Sequence, residues 1–262
     1  AAADIAARCF HRVSSIAVAG IYSGVFTEKT FEEATGLVAP YFVTKHLAEA
    51  CVRNESTIPF RIYRPSMVVG HSQTGEIDKI DGLYYILQVL ELIGRFWPRW
   101  IPLIGLEGGQ FNVVPVDYVV KAMLHIAHLP SVEGNFFHLT SPVHYRLGEL
   151  LNLVAAQSET LPRFIGHIPN TLINLLPANT IPGLAKLGWV QYLFRKIDVA
   201  PGVLTYATCP TTFDCTQTLA ELAGSGIEPP LLQDYLPTLW QYWCSHLSPY
   251  RSENKNFQFQ PE

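Results

Sequence analysis

Tyr41 and Lys45 stand four residues apart in Ala39-Pro40-Tyr41-Phe42-Val43-Thr44-Lys45-His46-Leu47-Ala48-Glu49-Ala50, which reads as the opening of a helix with Pro40 at its first position. On a helix that spacing puts both side chains on one face. A tyrosine hydroxyl is a weak acid near neutral pH, with a reference pKa of about 10, but a neighbouring ammonium favours the phenolate and brings proton transfer within reach. Such a pair could protonate the oxygen of a carbonyl undergoing reduction. The same residues would also suit an amphipathic helix with a solvated lysine, so the elements around them must decide.

Upstream, Phe10 to Gly20 is a short apolar run that carries Ser14 and Ser15 and closes on glycine, which suits the carboxyl end of a buried parallel strand. Ligand sites in open α/β sheets lie at that end. Ser15 is therefore a candidate donor to a substrate oxygen, or else both serines cap the strand. Tyr22 to Ala39 reads as a loop. Downstream, the helix should stop by Asn54, and Pro59 to Arg64 is a second strand, turned by Pro65-Ser66 into Met67-Val68-Val69-Gly70. Strand, helix and strand make one parallel unit that gathers Ser15, Tyr41 and the Pro65-Ser66 turn around one crevice.

Alternation continues beyond it. His71 to Gly82 is a polar, glycine-hinged loop, Leu83 to Phe96 a helix, Phe111 to Pro115 a small strand, Val116 to His128 a helix, Asn135 to Thr140 a strand and Leu147 to Gln157 a helix. His125 and His128 could face together, but they have no carboxylate or thiol partner at a metal-binding spacing. From Leu161 to Tyr206 prolines, glycines and large apolar residues replace charges, as in an apolar helical cap over a site. There Trp189, Tyr192 and Phe194 are candidate substrate contacts. Thr211 to Asp214 resumes a strand, Thr216 to Ala223 and Leu231 to Leu247 are closing helices, and 251–262 is a polar tail. The expected domains are thus 1–160 as the catalytic half, with substrate-domain elements from about 71, then the cap at 161–206 and a closing strand and helices at 207–250.

With 262 residues, 48% of them hydrophobic, the chain can bury a large core. Eighteen basic against 22 acidic residues give a net charge of -4, which argues against a nucleic-acid partner. Five cysteines without a C-x-x-C pair suggest reduced thiols and a cytoplasmic protein. No apolar run reaches the 18 or so residues of a spanning helix, although the apolar segment is compatible with peripheral membrane contact. Oligomeric state is not legible.

Val13-Ser14-Ser15-x-x-Val18-x-Gly20, then Tyr41-x-x-x-Lys45, then Tyr63-Arg64-Pro65-Ser66 resemble the extended short-chain dehydrogenase/reductase superfamily. Within it, Arg64 to Gly70 followed by Thr74-Gly75-Glu76-Ile77-Asp78, Asn112-Val113-Val114-Pro115-Val116-Asp117-Tyr118-Val119 and Phe137-His138-Leu139-Thr140 resemble fatty acyl-CoA reductases and thioester reductase domains of the male sterility type. The resemblance implies an α/β fold: the C-terminal part of a doubly wound, Rossmann-like parallel sheet with a mainly helical substrate-binding cap. It implies Ser15, Tyr41 and Lys45 as catalytic residues. Tyr41, Lys45, Pro65, Ser66, Met67 and Val68 would contact the cofactor, NADP(H) or else NAD. The implied reaction is reduction of a small-molecule or carrier-linked acyl thioester, or of an aldehyde. An epimerase, dehydratase or hydroxysteroid dehydrogenase would share the three catalytic residues. A non-catalytic binding or scaffold module would need none of them.

The superfamily's glycine-rich turn, which seats a pyrophosphate on a helix N-terminus, has no counterpart in these 262 residues. By the resemblance, roughly 100 residues in three βα units would precede Ala1. These 262 residues alone should then bind NADPH very weakly, and calorimetry giving a low-micromolar Kd would overturn that expectation.

Overall fold

A computed structural model describes residues 7–78, 80–97, 101–132, 134–161, 163–173 and 209–249. The chain divides into two compact units. The first comprises residues 1–69, 112–144 and 209–232; the second comprises 70–111, 145–208 and 233–262.

The first unit is built on a parallel sheet in which β3 (Phe60–Pro65) lies between β1 (Phe10–Val13) and β8 (Phe136–Leu139). Helix α1 (Pro40–Glu55) connects β1 to β3, the strand–helix–strand order read from the sequence. Pro40 occupies the first turn, where its missing N–H costs nothing, and the chain leaves the helix at Ser56. Beyond β3, Ser66 separates it from β4 (Met67–Val69), which pairs in parallel with β7 (Val113–Pro115). β7 runs directly into α3 (Val116–His128), whose Asp117 favours the helix N-terminus and pairs with Lys121 at 3.5 Å. Tyr118, Ala122 and Ile126 of α3 pack with Tyr63, Phe137 and Leu139 of the sheet and with Leu222 of α6 (Thr216–Leu222).

Two sequence expectations change here. The apolar run Ile16–Ala19 is a 3-10 turn rather than a continuation of β1, because Ser15 ends the extended backbone and caps the turn. Tyr22 to Ala39 is not all loop. β2 (Gly24–Phe26) pairs in parallel with β11 (Thr211–Phe213), and Phe26 and Phe213 close a cluster with Val18, Ala19 and Phe31.

The second unit contains α2 (Leu83–Phe96), β5 (Leu103–Leu106), β6 (Gln110–Phe111), β9 (Tyr145–Arg146), α4 (Leu147–Ala155), β10 (Phe164–Ile168), α5 (Asn170–Ile173) and α7, which runs Leu232–Tyr242 and ends in a π-helical turn over Trp243–Leu247. β5 pairs in parallel with β10, and β6 antiparallel with β9. Trp243 Nε1 and Ser248 Oγ both donate to the buried Glu91 carboxylate. Of the segment expected to form a cap, 163–173 hold β10 and α5, while Trp189, Tyr192 and Phe194 lie outside the described residues.

Glycine is required where the loop returns towards α1. Gly20 sits at φ +65°, bridges to Thr35, and a Cβ there would lie 2.1 Å from the Thr35 carbonyl oxygen. Gly20→Ala combines that overlap with a left-handed backbone, which alone costs roughly 1–2 kcal/mol for an L-residue. It should lower unfolding stability by about 2 kcal/mol or more; an unchanged urea midpoint would contradict the close approach.

Candidate active site

The candidate catalytic and cofactor-contact residues fall in the first unit, at or beyond the carboxyl ends of its strands. Ser15 lies two residues past β1, half-buried, with extended backbone at φ −164° and ψ 155°. Its Oγ accepts from Ala17 N–H at 3.2 Å, which caps the 3-10 turn. Among the described residues its hydroxyl hydrogen has no acceptor, so Ser15 can cap and still donate to a ligand.

Tyr41 opens α1 with 48% of its surface exposed. Lys45, one turn on, holds its Nζ 5.6 Å from the centre of the Tyr41 ring, within cation–π range. The ammonium therefore lies over the ring face. The 3-10 turn after Ser15 is fastened to the same helix: His46 Nδ1 donates to Val18 O at 3.0 Å, and its ring stacks on Phe31 at 4.1 Å.

Pro65 to Val68 cross from β3 into β4. Ser66 N–H donates to Leu139 O, and Met67 N–H to Asn112 O, both at 3.2 Å. Asn112 is pinned in turn by Ser141, whose N–H donates to Oδ1 and whose carbonyl accepts from Nδ2. Ser66 Oγ is buried without a partner among the described residues. A buried hydroxyl left unpaired at the end of a parallel strand suits a ligand that presents polar edges, as a nicotinamide carboxamide does. The residues present thus fit a nicotinamide cofactor at this turn.

What sequence reasoning missed lies beneath. Glu49 and Arg64, each with no exposed surface, form a buried ion pair, with Arg64 Nη2 donating to Glu49 Oε1 at 2.6 Å. Arg53 adds two hydrogen bonds to the same oxygen, at 3.0 and 3.1 Å, and its guanidinium lies between the Phe31 and Phe136 rings. Ser14 Oγ donates to Glu49 Oε2 at 2.8 Å. Burial pushes the Glu49 carboxyl up, but the hydrogen bond and charge of Arg64, with Ser14 and Arg53, outweigh it and hold the group below the ordinary value.

On its other side, Arg64 Nη1 donates to His138 Nε2 at 3.0 Å, while His138 Nδ1 donates to Asp214 O at 2.6 Å. That tautomer is neutral, and burial followed by the Arg64 charge holds its pKa down to about 3. Glu28 accepts from the backbone N–H groups of His138, Gln217 and Thr218 and from the Thr218 hydroxyl. Burial nevertheless raises its pKa. The legible signal for this network was a charged residue inside the apolar strand Phe60–Pro65, which demands a buried partner. Glu49, four residues beyond Lys45, was available to supply it.

A helix-borne tyrosine–lysine pair, a strand-end serine and a turn that fits a nicotinamide are thus gathered in one parallel α/β unit. Comparison with known proteins narrows this. Residues 1–123 match the NAD-binding family described as male sterility protein. The nonribosomal peptide synthetase FrzA of a Cladobotryum species is 31% identical over 146 residues, 52% of this chain and 14% of FrzA. Aldehyde reductase lnaA of Aspergillus flavus is 28% identical over 146 residues, 54% of this chain and 12% of its own length. The terminal R domain of the myxalamid PKS-NRPS pathway has a similar fold, with a TM-score of 0.68 at 22% identity over 97% of this chain and 60% of that one. The matches thus span a small part of the curated relatives. The similarities thus point to the extended short-chain dehydrogenase/reductase superfamily and its thioester reductase-like branch, with the family match carried by residues 1–123 of the 262.

The buried histidine gives stability a defined pH dependence. Below about pH 6.5 the unfolded chain takes up a proton at His138 that the folded chain refuses until about pH 3, so stability is full above this window and falls as pH drops through it. His144, whose pKa burial also lowers, acts in the same direction. Denaturant unfolding at pH 7.5 and 5.5 should differ by about 1.4 kcal/mol for His138 alone, and equal stabilities would show that His138 charges freely in the folded protein.

Proposed function

We propose that the chain carries the catalytic residues of an NADPH-dependent reductase that converts an acyl thioester, free or on a carrier, to an aldehyde, or an aldehyde to an alcohol. The observation that carries this reading is the Lys45 ammonium held over Tyr41 while the Ser15 hydroxyl keeps its hydrogen free to donate. The cofactor, when bound, supplies the hydride that reaches the carbonyl carbon. Ser15 donates a hydrogen bond to the substrate oxygen, which gains charge as hydride arrives, and Tyr41 gives that oxygen its proton. Lys45 favours the phenolate that Tyr41 becomes, and also grips the cofactor ribose. With a thioester, the resulting hemithioacetal expels the thiol and leaves the aldehyde.

Pro65, Ser66, Met67 and Val68 take the nicotinamide, with the Ser66 hydroxyl gaining a partner that it lacks among the described residues. A carrier-linked substrate is supported by the relatives, one of which is a peptide synthetase and another the R domain of a PKS-NRPS pathway. The aliphatic cap over 161–206 remains part of the proposal, with acyl affinity growing by about 0.8 kcal/mol per buried methylene. No described helix is long and apolar enough to cross a membrane. All five cysteines are free thiols, which suits the cytoplasm proposed for the protein.

Tyr41→Phe removes the proton donor and leaves the ring beneath Lys45. In a protein completed with its nucleotide-binding half, steady-state assays with NADPH and either an aldehyde or an acyl thioester should show kcat lowered by about 10² or more, the scale of general acid catalysis. Wild-type turnover by this variant on every reduced substrate would remove the central assignment.

A further inference from the structure

One buried carboxylate touches each of the three segments that hold the candidate residues. Glu49 belongs to α1, one turn past Lys45 and two past Tyr41. Its Oε2 accepts from Ser14 Oγ at 2.8 Å, the residue immediately before Ser15. Its Oε1 accepts from Arg64, the residue immediately before Pro65–Val68, at 2.6 Å. Were Glu49 present only to neutralise two guanidiniums, Arg64 and Arg53 would suffice as partners, since the Ser14 hydroxyl is uncharged and adds nothing to the charge balance. What the hydroxyl adds is a fixed distance. Ser14 is held from both sides, by its own N–H to Tyr63 O at 2.7 Å and by its side chain to α1, which leaves Ser15 little freedom to slide along the helix.

We propose that Glu49 is a positioning residue whose carboxylate sets the spacing between Ser15, the Tyr41–Lys45 pair and the Pro65–Val68 turn through Ser14 and Arg64. The inference rests on the reading of Ser15, Tyr41 and Lys45 given above, and it deepens that reading by naming what holds the three in register. A displacement of about 1 Å in such a constellation can cost 10²-fold in rate. Glu49 should therefore govern turnover without touching substrate.

Ser14→Ala tests this with little risk to folding, because it cuts one link and leaves the Glu49–Arg64 pair whole. Glu49→Gln cuts further and is read only if circular dichroism shows it folded. Hydrogen exchange gives a readout independent of activity. Ser14→Ala should speed exchange at the Ala17 and Val18 amides about tenfold and reach the Tyr41–Lys45 turn of α1, while β8 stays protected; folded Glu49→Gln should add Ser66 and Met67. In kinetics, Ser14→Ala should lower kcat about tenfold with the substrate KM unchanged, and Ser14→Thr, which keeps the hydroxyl, should restore most of it. Faster exchange confined to residues 14–17 would overturn the proposal whatever the activity, as would a normal kcat in Ser14→Ala beside an inactive Tyr41→Phe. Linked exchange combined with full activity of Tyr41→Phe would instead leave the positioning network standing and remove the catalytic roles.

Discussion

A guanidinium with no exposed surface sets the terms for the first unit. Arg64 projects from the central strand, and taking its charge out of water is tolerable only if an opposite charge and enough acceptors come with it. Glu49 supplies the charge from α1, the carbonyls of Glu28 and Thr30 supply acceptors from the loop before that helix, and neutral His138 supplies another from β8. Each comes from a different part of the chain, so helix, loop and neighbouring strand cannot shift without stranding a buried ion. Removing one partner from such a set typically costs 3–5 kcal/mol, a large share of a domain's net stability.

The same arrangement separates holding from reacting. Ser14 and Glu49 are sealed away and committed to one another, whereas Ser15 and Tyr41, their neighbours in sequence or on the helix, keep exposed surface and unspent hydrogen-bonding capacity. Adjacent residues thus take opposite roles because successive side chains in extended backbone point to opposite sides. Two serines in a row, which the sequence alone leaves open between capping and chemistry, are both used: one inward as a tie, the other as cap and free donor.

Much of this was legible. The helix at Pro40–Glu55 followed from Pro40 and from residue types compatible with a helix as far as Asn54, and the strand at Phe60–Pro65 followed from its apolar run and the proline that ends it. The 3-10 turn at Ile16–Ala19 was not, because four apolar residues carry no periodicity that distinguishes a strand from a tight turn. Nor was β2, three residues long and begun by a glycine, since its partner strand lies far along the chain. On α1 the fully buried positions are Phe42 and Glu49, an aromatic and a carboxylate. A buried carboxylate is invisible to hydrophobic patterning and becomes intelligible only once Arg64 is seen beside it.

The distances along the chain over which the first unit is closed bear on how it is made. Glu28 finds its acceptor role completed by Thr218, 190 residues later. At a ribosomal rate of about 5–20 residues per second, that partner emerges roughly 10–40 s after Glu28 does. Until then Phe26 and Val18 lack Phe213, and β2 has an open edge. The nascent chain must therefore carry β2 with its edge unpaired for that interval, in which the strand can meet another chain's edge before its own partner is made.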